Sequence, residues 1–449
     1  MIVFGLIAAT KYIHPGFLAQ PLPFSMAKIM HIDVLVLWLL TAFMGSLFWL
    51  LPSEFKRDLV GMRAANVVFW LFCITIAAVA ATFLFVQYGP GTDKTLWLVN
   101  QGRKYVEEPR WAAIVVAIGI AVFVYNIVGT AIAVKRITGV TWVIILNLIP
   151  LFGLYMLAFP AMTNMAVDQY WWWWLVHFWV EATWEVLIGS IVALVLMRVM
   201  NTSRNVVETW LYIEVALVLA TGVLGIGHHY FWMGAPKYWL GIGGFFSALE
   251  PLPLLGMVIH AVYDAGEHKM TNQPAFYWTM LEAFGNFIGA GVWGFMITLP
   301  QINLFAHGTQ WTASHGHLAF WGAYGCGVIA VIYLAVQEAG GYAQIGGRAW
   351  KWAFGLLNVG MYGMGGSLLI AGMAQAFYER AIGGSTFNAF VAAQQTPWFV
   401  EGIWMRWVFG LLFAAGYAIL ASNLIAISRR SRVAAAAPAT LAVEGAGTR

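Results

Sequence analysis

Ten histidines lie along the 449-residue chain. Six of them, His31, His177, His228, His229, His315 and His317, fall near the same ends of four apolar stretches. A single histidine on an apolar helix is more often a hydrogen-bonded packing residue than a ligand. Six at one depth, including an HH pair and an HxH pair, are harder to explain by packing, because ionisable groups in apolar segments are costly. Imidazole is a ligand for iron, copper and zinc, and a haem iron takes one or two of them on its axis.

Spacing narrows the chemistry. His315 and His317 are two residues apart, so on a helix they point about 200° apart and must serve different centres on opposite faces. His228 and His229 can both reach one ion only where the turn carrying them is irregular, and His177 can complete a three-histidine site. Glu181 follows His177 by four residues, on the same helix face and roughly 6 Å along the axis. A carboxylate beside three imidazoles favours a harder metal, iron over copper. Glu185, one turn further, and Glu250, in FSALEPLP, are further acids at membrane depth, where a carboxyl can pass protons. For Glu185 a purely structural role stays equally open.

The positioning elements follow from composition. Hydrophobic residues make up 61% of the chain and charged residues 9%, against about 25% charged in soluble domains. Many apolar runs reach the roughly 20 residues that cross a bilayer, and in hydrocarbon such runs must be helices. The expectation is an all-α, polytopic transmembrane bundle of about twelve helices, near 1–12, 28–51, 64–87, 111–134, 140–163, 171–199, 206–226, 241–264, 275–298, 314–337, 350–377 and 401–427. Residues 1–430 then form a single transmembrane catalytic domain and 431–449 a disordered cytoplasmic tail. The first run covers only about half a bilayer, so that helix is expected to be partial or to start upstream.

Alternate loops hold SEFKRDLVGMR, AVKRITG, MRVMNTSRN, AGEHKM and GGRAWK, and the tail begins SRRSR. The positive-inside rule puts these in the cytoplasm and the histidine-bearing ends toward the periplasm. The run Trp171–Trp174 suits an interfacial aromatic belt. A formal charge of +4 gives no support to a nucleic-acid partner. Cys73 and Cys326 lack CxxC spacing and read as two buried thiols. No cleavable signal peptide is expected, and with no CxxCH motif the chain carries no covalent haem c.

The stretches HIDVLVLWLLTAFMG, HFWVEATWEVL, GIGHHYFWMGAPKYW, FSALEPLP and HGTQWTASHGHLAFWGAYG resemble the catalytic subunit of bacterial cytochrome-c-type nitric oxide reductases, within the haem–copper oxidase superfamily. The likeness runs from the second helix to the twelfth. It implies that His31 and His317 are the axial ligands of a low-spin haem b and His315 the proximal ligand of a high-spin haem b3. It implies a non-haem iron on His177, His228, His229 and Glu181, with Glu250 in proton delivery from the periplasmic side. Glu107, in GRKYVEEP, matches a calcium ligand, and His307, in HGTQ, a contact to a haem propionate.

The implied reaction is two nitric oxide to nitrous oxide and water. Implied partners are the lipid bilayer of a bacterial inner membrane, a membrane-anchored cytochrome c subunit, and a soluble cytochrome c or similar donor. Oxygen-reducing relatives commonly place a tyrosine where Glu181 stands, which argues against a copper-containing terminal oxidase. A quinol-dependent reductase is disfavoured by the lack of a long hydrophilic N-terminal extension. A transporter with histidines lining its path is the reading from another class. Ala182 and Thr183 depart from the family pattern, and altered packing rather than altered chemistry is expected there.

Overall fold

A computed structural model describes residues 1–88, 107–134, 136–160, 162–247, 249, 252–266, 270 and 272–436. Twelve helical segments follow one another: α1 (Ile2–Ile13), α2 (Phe24–Phe55), α3 (Met62–Tyr88), α4 (Arg110–Ile132), α5 (Gly139–Leu157) and α6 (Met165–Val199), then α7 (Arg204–His229), α8 (Tyr238–Ala265), α9 (Gln273–Thr298), α10 (Gln310–Gly340), α11 (Ala349–Ile382) and α12 (Pro397–Ala436). Eleven of them, α2 to α12, are long and apolar enough to cross a membrane. The protein is therefore a multi-pass, all-helical membrane protein. Among the described residues β character is confined to isolated bridge positions, Asn272 to Ile345 among them.

Several boundaries differ from the sequence reading. α1, with 12 residues, is as short as expected and packs against α2 and α12. α12 continues to Ala436, past the expected domain end at 430; the rest of the expected tail lies outside the described residues.

The helices start where the apolar runs meet polar caps. Asn164 accepts from the amides of Ala166 and Val167 at the head of α6, Asn272 from that of Ala275 before α9, and Thr309 from that of Trp311 before α10. Each satisfies an amide that the first helical turn leaves unpaired.

α6 and α10 form the centre. Their most apolar windows are 78% and 72% buried within the protein, whereas no other span exceeds 44%. A helix that buries most of its circumference against protein can carry polar groups that lipid would reject. These two helices carry His177, Glu181, His315 and His317.

Three π-helical turns interrupt the core helices, at Trp179–Trp184 in α6, Phe287–Val292 in α9 and Phe320–Gly325 in α10. A π-turn inserts one residue and disturbs the backbone ladder, and such turns gather at functional sites. Side chains meet the carbonyls of the α6 turn: the Thr183 hydroxyl donates to Trp179 O at 2.7 Å, the Tyr324 hydroxyl to Val180 O at 3.1 Å, and Asn147 Nδ2 to Thr183 O at 2.7 Å. Cys326 is buried, but Cys73 is exposed on α3, which corrects the reading of both as core thiols.

Candidate metal centres

The π-turn that opens at Trp179 places Glu181 back against His177. Their Oε2 and Nδ1 atoms are 3.3 Å apart. α7 ends in a 3-10 turn, Ile226–His229, which supplies the irregularity needed to bring two adjacent histidines to one point. His228 Nε2 lies 4.0 Å and His229 Nε2 3.6 Å from Glu181 Oε1. One ligand atom each from His177, Glu181, His228 and His229 lies within 4.8 Å of all the others. Among the described residues this is the one such group.

The supports of the group are specific. Trp173 stacks on His229 with ring centroids 4.3 Å apart and planes at 8°. Asn303 Nδ2 donates to the His228 carbonyl at 3.0 Å, and the Ser247 hydroxyl to Glu181 Oε2 at 3.3 Å. The 3-10 turn itself rests on α8: a Cβ at Gly243 would stand 2.1 Å from the His228 amide nitrogen, so only glycine lets the two backbones approach.

The donor set fits a metal ion. Neither ring nitrogen of buried His177 makes a hydrogen bond, nor does His228 Nδ1, although buried polar atoms are nearly always satisfied. Three imidazoles and a carboxylate within 4.8 Å supply donors that a divalent iron accepts.

A second arrangement joins α2 to α10. The rings of His31 and His317 have centroids 6.0 Å apart and planes at 26°. Two metal–nitrogen bonds of about 2 Å, plus two ring radii of about 1 Å, would put the centroids roughly 6 Å apart. Each Nδ1 faces a backbone carbonyl, Met1 O at 3.1 Å for His31 and Ala313 O at 2.7 Å for His317. Donation from Nδ1 fixes the tautomer that leaves Nε2 free to bind iron. His315 shows the same pattern: its Nδ1 faces Gly289 O at 2.9 Å, a carbonyl of the α9 π-turn. Its ring leaves the helix on another side from His317, as the two-residue spacing required.

The other expected residues are placed as follows. Glu185 lies one turn beyond Glu181 and is half-buried. His307 ends the short helix Pro300–Ala306 within electrostatic reach of His229. Glu250 lies outside the described residues. Glu107 is buried, with Lys28 Nζ 3.9 Å from its Oε1, and it interacts with Asp33. Beside it Glu108 accepts from the Tyr155 hydroxyl at 3.1 Å; burial first, and then the Glu107 charge, push its carboxyl up to about 7 against the opposing hydrogen bonds.

Asp33, Glu214 and Glu282 escaped the sequence reading. Each is a lone acid in an apolar run, such as LYIEVALVL or WTMLEAFGN, and that isolation was the available signal.

Residues 1–412 match the family described as cytochrome c and quinol oxidase polypeptide I. The chain is 36% identical to a nitric oxide reductase subunit of Stutzerimonas stutzeri, over 98% of this chain and 93% of that one. It is 24% identical to a cytochrome c oxidase subunit 1 homolog of Agrobacterium tumefaciens (strain T37), over 44% of this chain and 37% of that one. A solved haem–copper terminal oxidase aligns with a TM-score of 0.63 at 13% identity, covering 95% of this chain and 81% of the other.

Proposed function

Because the chain belongs to the cytochrome c and quinol oxidase polypeptide I family, and within it is a homologue of a nitric oxide reductase subunit, we propose that it reduces two nitric oxide molecules to nitrous oxide and water. The observation that carries this reading is Glu181 set among three imidazoles. A carboxylate at that place favours iron over copper.

His177, His228, His229 and Glu181 would hold the non-haem iron. His315 would hold a high-spin haem b3, and His31 with His317 a low-spin haem b. When bound, these groups supply electrons one at a time and a Lewis-acidic pair on which substrate gathers. The protein positions the ligands on four different helices, so the distances between the centres are set by the packing of α2, α6, α7 and α10. Holding two substrate molecules at one place converts a termolecular encounter into a local one. Trp173 and the buried flank of α6 keep water from the group, which strengthens the charges that act there. Protons must arrive at Glu181 or its neighbours, because the reaction consumes two protons with its two electrons. Glu107, buried beside Lys28, would take part in a calcium site near the haem propionates, and His307 would touch a propionate.

With no CxxCH of its own, the chain would receive electrons from a membrane-anchored cytochrome c subunit, served by a soluble cytochrome c or similar donor. The lysine- and arginine-bearing loops support an orientation with the histidine end toward the periplasm of a bacterial inner membrane. Anaerobic nitric oxide consumption by the purified complex, with haem, iron and copper counted, tests the whole reading. Copper stoichiometric with haem, or reduction of oxygen without reduction of nitric oxide, would overturn it.

A further inference from the structure

A cavity outside the metal centres lies where α1 gives way to the loop into α2. Its volume is about 610 Å³, within the roughly 300–1,000 Å³ of small-molecule sites. Lys11 and Tyr12 of α1 line one side, Phe399 and Trp404 of α12 another, and Gln394 and Gln395 a third. The Tyr12 hydroxyl accepts from Gln310 Nε2 at 3.0 Å, at the head of α10. The cavity is therefore at the histidine end of the bundle.

Lys11 is 7% exposed. Its Nζ donates to Phe17 O at 2.7 Å, yet an ammonium carries three donors. Among the described residues no carboxylate pairs with it, and Phe17 O is its one acceptor. Lysines near the ends of membrane helices normally snorkel until the ammonium reaches headgroups or water. Lys11, in the last turn of α1, stays inside. The negative end of the helix dipole favours a cation there, but two donors and a full charge are left beside the cavity. Buried charges are paired as a rule, so an anion has to come in to this one.

The walls decide which anion. Phe24, Val400 and Trp404 also line the cavity and are 39%, 42% and 44% exposed. An exposed apolar wall at the end of membrane helices meets acyl chains, and tryptophan belongs at headgroup level. A free phosphate would use the lysine and leave that wall wet. An anionic glycerophospholipid uses both: the phosphodiester meets Lys11, the glycerol oxygens meet the amides of Gln394 and Gln395, and the chains run along Val400 and Trp404. Neither amide side chain has a hydrogen-bond partner among the described residues.

We infer that this cavity binds one anionic phospholipid from the leaflet at the histidine end, with its phosphate held by Lys11. The lipid ties α1 to α12, adding to the bond that Trp407 Nε1 donates to the Thr10 hydroxyl at 3.1 Å. α1 in turn backs His31, since a Cβ on Gly5 would stand 2.8 Å from His31 Cε1. The lipid thus braces the helix behind that imidazole.

The delipidated complex, titrated by native mass spectrometry with phosphatidylglycerol or with phosphatidylcholine of the same acyl chains, tests this without turnover. One phosphatidylglycerol is expected to bind about fivefold more tightly than phosphatidylcholine, the preference that one lysine near a lipid surface confers. Lys11→Gln should abolish the preference and Lys11→Arg retain it. Val400→Trp, which fills the apolar wall and leaves Lys11 in place, should weaken both lipids. A photoreactive phosphatidylglycerol should label residues 394–404, and inorganic phosphate should not displace it. Labelling confined to other segments, equal affinity of wild type for the two lipids, or a full preference in Lys11→Gln would overturn the site. Displacement by inorganic phosphate would make it a free-anion site and reject the lipid. If Lys11→Gln fails to fold, Val400→Trp decides: lost labelling supports the site, and unchanged labelling rejects it.

Discussion

The imidazoles of His31 and His317, from helices far apart in sequence, stand with centroids 6.0 Å apart and planes 26° from parallel. Neither ring needs the other for packing, and each has its Nδ1 turned to a backbone carbonyl. The separation suits one iron between two nitrogens. His317→Ala is therefore expected to abolish the low-spin, bis-imidazole absorbance while the haem on His315 stays. Optical spectra and a haem count should fall from two per chain to about one. Two haems with unchanged spectra would remove His317 from ligation.

Glu181 is the carboxylate of the four-residue group, 3.3 Å from His177 and 3.6 Å from His229. Glu181→Gln keeps the shape but removes the charge that favours iron. Both haems should remain, and nitric oxide consumption should drop by at least about a hundredfold. Near-normal turnover would take Glu181 out of the mechanism.

Much of this was legible in the sequence, for physical reasons. A bilayer demands long apolar helices, so the span count followed from composition, and α1 stood out by its length. The histidines that the fold brings together were legible because they crowd into short runs such as GIGHHYFW and HGTQWTASHGH. The π-turns were not, since one inserted residue leaves an apolar pattern looking the same. Nor was the exposed position of Cys73: both sides of α3 are apolar, so hydropathy does not tell the outward side from the inward one. Glu214 and Glu282 were missed because a lone acid has no neighbours in sequence to mark it; the fold alone brings them to α6.

Iron stoichiometry follows from the same geometry. Purified protein should hold three irons per chain, two in haem and one not, with copper well below one. A chelator that strips the third should abolish nitric oxide reduction and leave both haem spectra intact. Activity that survives its removal would place the chemistry elsewhere.

Asn147 answers the Thr183 carbonyl at 2.7 Å, inside the π-turn that shapes the group of His177, Glu181, His228 and His229. Asn147→Leu leaves that carbonyl without its partner in a dry interior. Hydrogen bonds between membrane helices average about 0.6 kcal/mol and reach about 1.7, so thermal stability should fall by an amount in that range. Because the turn also sets Glu181 against His177, the non-haem iron should be lost more readily than in wild type, with haem unaffected. Equal iron retention would show that the turn holds its shape without Asn147.

Gly243 bears on the metal group through backbone alone. A Cβ there would meet the His228 amide nitrogen at 2.1 Å and the Gly227 carbonyl carbon at 2.5 Å. These atoms belong to a 3-10 turn closed by its own hydrogen bonds, and no flexible side chain can move aside. Gly243→Ala should thus push the turn away from α8, carrying His228 and His229 off the point they share with His177 and Glu181. Overpacking of this kind costs about 1–3 kcal/mol, enough to misplace two ligands without unfolding eleven spans. The expected result is a folded protein with both haem spectra and little non-haem iron. A variant that retains the third iron at wild-type stoichiometry would show that α8, not the turn, gives way.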